Sequence, residues 1–557
     1  MAHIEFLDET MRDGQQSLWG LRMRAGMALP VTPLLDRTGF STIDLTGGGM
    51  LDVLTRYCQE NYWEGLDLLV ASMPNTPLRA GLRANANVTF GITPPALMDL
   101  WVRRLCAHGI RSFWIYDVLF GMDNMLRLAK VAKEANAKVA GAIMFALSPV
   151  HTDEFFVANA RKLAESPDVD SILLYDTAGV LEKERIQSLV PALVNAANGK
   201  PVEFHSNNLL GLSAKAYLDA IDCGVTVIHT ASRPMANGPS VPSTEIMARN
   251  VQLRGHTHGL DEALFQPVAD HFRAVGKAAG YLVDQYAEYD EFSIQHQIPG
   301  GMMGTFKAQL EMHKMMDRLP EVLDEVAAVR RELGYPGMAT PFSQLVGIQA
   351  VLNIVTGKRY GTVPDEVIQY AAGFYGDPVA PVDPEVMDRI MEAPRAKEVI
   401  SKPPEMMDIE QLKKLHGTDD EDELIYRAFV PQADIDKMRA AGPVKTDFPL
   451  MSSPELEQAR KLKTIVDVLK IPESSVASHL NWGTFTLRDV VAKNGGVSPF
   501  GNERVRYTGS ADDAALNAAV PRFKADPAAA GPRHLLHHRD RSAYPRGFVS
   551  GGGGEGR

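Results

Sequence analysis

Short apolar segments alternate with segments of helical periodicity over the first 255 residues of the chain. Eight of the apolar segments have the length and flanking turns of β-strands, namely Ile4–Leu7, Ser41–Leu45, Leu78–Leu82, Ser112–Tyr116, Val139–Met144, Ser171–Leu174, Val202–Phe204 and Thr226–His229. Helical patterns such as Met125–Asn136 and Glu184–Ala196 follow them. Eight strand–helix units, spaced by about 25–40 residues, predict an α/β fold, a closed (β/α)₈ TIM barrel of about 250 residues.

An open, doubly wound sheet is the alternative for this alternation. It usually has fewer strands and a GxGxxG turn after the first of them, which does not occur after Leu7. The barrel also explains the polar residues, because barrel active sites lie where the strands end. Ionisable side chains stand at or just beyond those ends, namely Asp8, Arg12, Asp13, Asp44, Arg83, Tyr116, Asp117, Tyr175, Asp176, His205 and His229.

Beyond the predicted barrel, residues 256–450 have mostly helical patterns. The clearest are Glu311–Arg318, Leu319–Leu333 and Phe342–Val355, and the acidic run Asp419–Glu423 is predicted to be a solvated loop. Residues 451–498 predict a small appendage with short helices at Lys461–Leu469 and Leu487–Ala492. Residues 499–557 contain too few large apolar side chains to order themselves, so we expect a disordered tail. A stray metal ion held by His534, His537 and His538 is the less favoured alternative.

Composition narrows the functional classes. Of 557 residues, 45% are hydrophobic and 23% charged, which is typical of a soluble globular protein. Lys+Arg 57 against Asp+Glu 69 gives a net charge of −12, which argues against sequence-independent nucleic-acid binding. The charged start MAHIEFLDETMRD is unlike a signal peptide, and no apolar run approaches the roughly 20 residues of a membrane span. Cys58, Cys106 and Cys223 form no CxxC pair, so we expect a cytoplasmic protein.

Two motifs at strand ends carry candidate chemistry. Arg12 and Asp13 belong to an RDGQQS turn, in which a carboxylate suits a divalent cation and a guanidinium suits an anionic substrate. His205 and Asn207 are two residues apart on a predicted strand, so both point toward the barrel axis. A hydrogen-bonded structural histidine is the simpler interpretation of His205 alone. Its position across the barrel from Asp13 makes a shared metal ion an equal alternative.

Longer motifs resemble the carboxyltransferase family of biotin-dependent enzymes, which includes the pyruvate carboxylase carboxyltransferase domain, the oxaloacetate decarboxylase alpha subunit and the transcarboxylase 5S subunit. They run to about residue 395 and comprise ETMRDGQQSLWGLRMR, TGGGMLDV, PNTPLRAGLRANAN, YDTAGVL, EFHSNN, HQIPGGMMGTFKAQL and PFSQLVGIQAVLNIVTGKRYGTVPDEVIQYAAGFYGDP. The resemblance implies a barrel followed by a helical domain. It also implies a divalent metal (Zn, Mn, Co or Mg), a 2-oxo acid bound as its enolate, carboxybiotin on a separate carrier protein, and a homodimer.

The same resemblance assigns roles to individual residues. Asp13 and His205 match metal ligands, and Arg83 matches the arginine that binds the substrate carboxylate. Arg12 and Gln16 match a polar pair beside the substrate, and Asp52 matches a carboxylate near the site.

Four positions depart from the family pattern. Tyr175 replaces the carbamylated lysine, and a phenol forms no carbamate; Asn207 replaces the second metal histidine. Phe90 replaces a tyrosine near the substrate, and Gly304 falls at the proton-transferring Thr or Ser, with Thr305 one place along. We infer that recognition of a small anion is kept, while the half of the site specific to carboxybiotin has changed.

Three functions stay open from the sequence. The first is a carboxyltransferase or decarboxylase of a small 2-oxo or related carboxylic acid. Because no Met-Lys-Met motif occurs, its biotin must arrive on another polypeptide. The second is a metal-dependent C–C lyase or condensing enzyme of the isopropylmalate synthase or hydroxymethylglutaryl-CoA lyase type, whose RDGxQ turn is similar. The third is a catalytically silent subunit of a carboxylase complex, in which Tyr175 and Asn207 mark a lost metal site.

Overall fold

A computed structural model describes residues 1–89, 91–298, 310–311 and 315–450, together with the backbone of 481–482 and 485–486. The chain divides into two compact units, residues 1–448 and 449–557. The predicted helices at Lys461–Leu469 and Leu487–Ala492, the predicted tail and its histidines lie outside the described residues. In the second unit, Asn481–Trp482 pairs antiparallel with Phe485–Thr486. No helix in the described ranges is both long and apolar enough to cross a membrane.

Eight parallel strands close into a barrel in chain order, which confirms the predicted fold. They are β1 (Glu5–Asp8), β2 (Thr42–Gly47), β3 (Leu78–Arg83), β4 (Ser112–Tyr116), β5 (Lys138–Met144), β6 (Ser171–Asp176), β7 (Val202–Ser206) and β8 (Val227–Thr230). Strand β1 pairs with both β2 and β8, and this closes the ring. Every strand is buried apart from its ends, because helices cover the outside and side chains fill the inside.

Seven longer helices surround this barrel, and shorter turns connect them. The longer helices are Tyr62–Ser72, Pro95–Ala107, Met122–Glu134, Asp153–Glu165, Lys183–Ala196, Ser213–Asp222 and Thr244–Leu253. The shorter turns are Thr10–Gly14, Gln15–Trp19, Ala25–Ala28, Thr32–Leu35, Gly48–Val53, Leu54–Cys58 and Arg233–Met235. The two helices predicted individually are present with ends shifted by up to three residues, since helix ends depend on local caps that periodicity does not encode.

Helices follow the barrel, as predicted. They are Glu262–Leu264, Phe265–Ala279, Phe292–His296, Met316–Arg318, Leu319–Glu332, Phe342–Thr356, Asp365–Ala371, Pro384–Met391, Ala396–Ser401, Ile409–His416, Glu421–Phe429 and Gln432–Ala440. Of the predicted helix Glu311–Arg318, residues 312–314 lie outside the described part. One continuous apolar core joins Trp114, Tyr116 and Tyr175 of the barrel to Val326 and Phe342 of these helices. The helical segment therefore packs on the β4–β6 side of the barrel, at the ends of those strands.

The prediction of a solvated loop at Asp419–Glu423 was wrong. Asp420 caps the helix Glu421–Phe429, and its side chain accepts the backbone N–H groups of Asp422 and Glu423. Acidic residues in a first helical turn also interact favourably with the helix dipole. The acidic run is thus a helix start, which charge alone does not distinguish from a loop.

Candidate active site at the barrel mouth

The turn after β1 places a charged cluster across the barrel axis. A tight helical turn, Thr10–Gly14, begins immediately after the strand and buries Arg12 and Asp13. Gly14 is required there, because a Cβ atom would lie 2.8 Å from the carbonyl oxygen of Met235. The RDG motif is therefore packed against the segment after β8.

Arg12 is neutralised by carboxylates. Its Nη2 lies 2.7 Å from Oε2 of Glu9, its Nε donates to Oδ2 of Asp44 at 3.1 Å, and its Nη1 lies 3.5 Å from Oδ1 of Asp13. The guanidinium also sits over the ring of Trp114, 4.9 Å from its centroid. Burial alone would lower the pKa of Arg12, but these carboxylates raise it well above its usual value. Arg12 therefore offers no uncompensated charge to a substrate.

Asp13 and His205 face each other, as predicted. His205 Nε2 lies 3.9 Å from Asp13 Oδ1, and this buried nitrogen has no hydrogen-bond partner among the described residues. The other ring nitrogen, Nδ1, lies 3.2 Å from Oε1 of Glu9. Burial lowers the pKa of His205, so the ring is neutral near pH 7.

Asn207 positions Asp13 through its amide nitrogen. Nδ2 donates to Asp13 Oδ2 at 3.0 Å and to the carbonyl oxygen of Pro239 at 2.9 Å. Both partners are acceptors only, so the NH₂ group must face them and the amide oxygen is turned away. Asp13 Oδ2 accepts further from Ser240 and from the N–H of Val241. Asn207 is thus placed as a hydrogen-bond donor and not as the oxygen ligand that the sequence suggests.

Tyr175 occupies the barrel mouth as a buried phenol. Its ring packs edge-on against His205 at a centroid distance of 4.8 Å and contacts Trp114 at the same distance. Burial raises the pKa of Tyr175 well above 10, even though Arg12 acts in the opposite direction. The hydroxyl therefore stays protonated and can donate a hydrogen bond. It has no hydrogen-bond partner among the described residues.

Arg83, at the end of β3, differs from Arg12 because no described carboxylate lies within ion-pair distance of it. Its Nη2 donates to the carbonyl oxygen of Asn87, and its buried Nη1 has no partner in the described residues. Burial lowers the pKa of Arg83, while the nearby phenols of Tyr116 and Tyr175 act in the opposite direction. An arginine remains charged even so. A partly buried guanidinium without a counter-ion is an anion-binding group.

The remaining predicted residues are not brought into this cluster. Asp52 is paired with Arg56 one helical turn away, at 2.6 Å between Oδ1 and Nε. Gln16 is exposed and makes no side-chain hydrogen bond to a described residue. Phe90, Gly304 and Thr305 lie outside the described residues, so their roles stay predictions.

Sequence reasoning missed a charged layer one step further into the barrel. Arg79 makes two hydrogen bonds to Glu203, at 2.7 and 3.1 Å. Glu203 Oε2 lies 3.0 Å from Nε2 of His229, whose Nδ1 lies 2.9 Å from Oε1 of Glu9. A signal was available, because Glu203 stands two residues before His205 on one strand and so points the same way. Because barrel interiors are usually filled by branched apolar residues, the sequence analysis did not consider a charged layer there.

The position expected for the family's metal does not fit that group in this chain. Asp13 Oδ1 and His205 Nε2 are the two donors that the described residues place there, whereas catalytic zinc sites typically have three protein ligands. The amide oxygen of Asn207 points away, and the phenol of Tyr175 keeps its proton. The described residues at this position therefore do not provide the ligand set of that metal.

Comparisons with known proteins extend these observations. A family model described as conserved carboxylase domain matches residues 294–460. The chain is 34% identical to a pyruvate carboxylase subunit from Methanocaldococcus jannaschii, covering 84% of this chain and 81% of the relative. It is 30% identical to the methylmalonyl-CoA carboxyltransferase 5S subunit of Propionibacterium freudenreichii subsp. shermanii, covering 78% and 87%.

The fold is shared with a solved structure, that of the carboxyl transferase domain from Rhizobium etli pyruvate carboxylase with pyruvate. The TM-score is 0.72 at 23% identity, covering 79% of this chain and 77% of that one. The resemblance found in the sequence motifs is confirmed by these comparisons.

Proposed function

Because the chain belongs to the biotin-dependent carboxyltransferase family, we propose that it transfers CO₂ to or from a small 2-oxo acid at the barrel mouth. The observation that carries this proposal is the unpaired guanidinium of Arg83, with its buried Nη1 at the end of β3. Burying a cation without a partner is costly, and a bound carboxylate removes most of that cost. The charge of Arg83 therefore favours a substrate that carries a carboxylate.

Tyr175 supplies the second interaction in the proposed mechanism. When the C3–C4 bond of a 2-oxo acid such as oxaloacetate breaks, CO₂ leaves and the electron pair forms the enolate of the remaining acid. A protonated phenol in a buried site stabilises that oxyanion by donating a hydrogen bond. Raising the pKa of Tyr175 by burial keeps the proton available for this purpose. The enolate then takes up a proton to give the 2-oxo acid product.

Asp13, Asn207 and Arg12 have a positioning role in this proposal. Their mutual hydrogen bonds and ion pairs hold the turn after β1 against the end of β7 and restrict the positions of these three side chains at the barrel mouth. Preorganised polar groups of this kind need no rearrangement when charge develops. Carboxybiotin, which the family implies as the CO₂ donor or acceptor, would be delivered on a separate carrier protein.

A direct test is oxaloacetate decarboxylation, followed as pyruvate release in a coupled assay with and without free biotin. We expect turnover that rises when biotin is added, and turnover of other 2-oxo acids with a carboxylate on C3 defines the substrate. Turnover that is indifferent to biotin would favour the lyase alternative. No turnover of any 2-oxo acid, with Arg83 unable to bind carboxylates, would favour the silent subunit.

A further inference from the structure

Three buried side chains below the barrel mouth bring possible metal-ligand atoms together at a place that the proposed reaction does not use. Oε1 of Glu9 lies 2.9 Å from Nδ1 of His229 and 3.2 Å from Nδ1 of His205, and the two ring nitrogens are 3.3 Å apart. All three side chains are 0–1% exposed. They come from the turn after β1 and from β7 and β8, so the barrel itself fixes their separation.

Oε1 of Glu9 and Nδ1 of His205 and of His229 form a triangle whose sides are close to the distances between ligands of one metal ion. Ligand atoms about 2.1 Å from one ion are roughly 3.4 Å apart at tetrahedral angles and roughly 3.0 Å apart at right angles. Two of the observed separations, 3.2 and 3.3 Å, lie within this range, and the third, 2.9 Å, lies just below it. One ion lying about 1 Å out of the plane of the three atoms would reach all of them at ordinary bond lengths.

The neighbours of the triangle match what metal-binding histidines require. A histidine that ligates a metal through one nitrogen usually donates its other N–H to a carboxylate. His229 Nε2 lies 3.0 Å from Oε2 of Glu203, which is itself held by Arg79. The second oxygen of Glu9 lies 2.7 Å from the guanidinium of Arg12, which orients its Oε1 toward the triangle.

We propose that Glu9, His205 and His229 form a divalent transition-metal site one layer below the barrel mouth, with Oε1 of Glu9 and Nδ1 of each histidine as ligands. Two imidazoles and one carboxylate suit zinc, cobalt, manganese or iron(II) better than calcium or magnesium, which prefer oxygen ligands alone. Because the site is buried, the ion would be taken up during folding. The inference rests on contact geometry and does not require the proposed activity.

A proton is the competing occupant. With both ring nitrogens protonated, His229 would donate to Glu203 from Nε2 and to Glu9 from Nδ1, at the observed separations of 3.0 and 2.9 Å. The metal and that proton cannot share Nδ1 of His229. Metal content therefore separates the two descriptions without any measurement of activity.

The experiment is metal analysis of the full chain, purified without chelator, then unfolded with chelator, refolded and titrated with Co²⁺ or Zn²⁺. We expect one ion per chain. Affinity should fall at least 100-fold in Glu9→Gln and His229→Gln, and change only a few-fold in the matched Asp13→Asn. A wild-type chain that binds no ion would overturn the proposal. So would a loss in Asp13→Asn as large as that in His229→Gln, because the ion would then lie at the mouth.

A second variant keeps the test open if His229→Gln fails to fold, as far-UV circular dichroism will show. His229→Cys replaces the nitrogen ligand by a thiolate, which should bind Co²⁺ and add a thiolate-to-cobalt charge-transfer absorption. Cobalt bound without that new absorption would remove His229 from the ligand set. If the wild-type chain binds the metal but turns over no 2-oxo acid, the proposed function is wrong and the metal site is unaffected.

Discussion

Arg83 and Arg12 lie at the same barrel mouth, yet only Arg12 has carboxylate partners in the described part of the chain. We therefore expect Arg83→Gln to weaken binding of oxamate, an unreactive 2-oxo acid analogue, by about 2–5 kcal/mol, or roughly thirty-fold to several thousand-fold. Isothermal titration calorimetry measures this directly. The control is Arg56→Gln, since Arg56 is paired with Asp52 away from the cluster. Equal affinity in both variants would remove Arg83 from the site.

Tyr175 is expected to act in the transition state rather than in substrate binding. Removing one hydrogen-bond donor to an oxyanion typically lowers kcat by about 10²–10³. We expect Tyr175→Phe to lower kcat for oxaloacetate by that factor and to leave KM within a few-fold. Tyr62→Phe is the matched control, because its buried hydroxyl bonds Thr46 away from the mouth. A changed KM with normal kcat would instead make Tyr175 a binding residue.

At this scale the sequence predicted the meeting of Asp13 and His205, since strand ends in a barrel lie on one face. It did not predict that Arg12 is neutralised: Glu9 lies three residues before it in the same motif and was overlooked, whereas Asp44 reaches it from β2, 32 residues further along the chain. The direction of the Asn207 amide depends on the carbonyl oxygen of Pro239, 32 residues further along the chain. The contacts of Arg12 with Asp44 and of Asn207 with Pro239 require the three-dimensional register and are not encoded in any motif.

Among the strands, the ion pair between Arg79 on β3 and Glu203 on β7 crosses the barrel interior. Removing one partner of a buried pair leaves an uncompensated charge. We therefore expect Arg79→Met and Glu203→Met each to lower the free energy of unfolding by about 3–5 kcal/mol. The double variant should lose much less than the sum, which urea titrations can measure.

The comparison pair is Arg395 with Asp365, two exposed residues in the helical segment. Breaking it should lower the free energy of unfolding far less than breaking the buried pair does, because solvent screens exposed charges. Additive losses at Arg79 and Glu203 would show that the two side chains do not interact in solution.

Strands were easier to predict than helix ends. Apolar runs bounded by turns located all eight strands, since burial on both faces leaves no other pattern. The helix at Glu421–Phe429 was missed as an element start because an acidic run suits both a loop and a first helical turn. Only the hydrogen bonds of the Asp420 cap decide between them.

For the molecule as a whole, acid should lower the free energy of unfolding, because His151 is buried in its neutral form. Burial, together with Arg330 and Arg185, lowers the pKa of His151 to about 3 from an unfolded value near 6.5. Above pH 6.5 the titration of His151 therefore does not reduce the free energy of unfolding. That free energy decreases as the pH falls from 6.5 toward 3, because the unfolded state then binds a proton that the folded state does not.

Between pH 7 and pH 5 this one residue should cost about 2 kcal/mol of unfolding free energy. His151→Phe keeps the ring that packs against Phe156 and removes the titration, so its stability should depend less on pH over this interval. Urea titrations of both proteins at the two pH values supply the comparison. An identical pH dependence would mean that His151 does not stay neutral in the folded chain.

The most direct test of the central claim is ¹³C NMR of oxaloacetate labelled in its C4 carboxylate, incubated with the chain and a biotinylated carrier protein. If the barrel mouth transfers CO₂, the label should leave oxaloacetate for the biotin of the carrier, appearing as carboxybiotin and then as bicarbonate, with pyruvate as the other product. This should be faster with the carrier than without it, and it should slow markedly in Arg83→Gln, because that variant binds the carboxylate substrate more weakly. Label that stays in oxaloacetate, or leaves at the same rate in Arg83→Gln, would contradict the account.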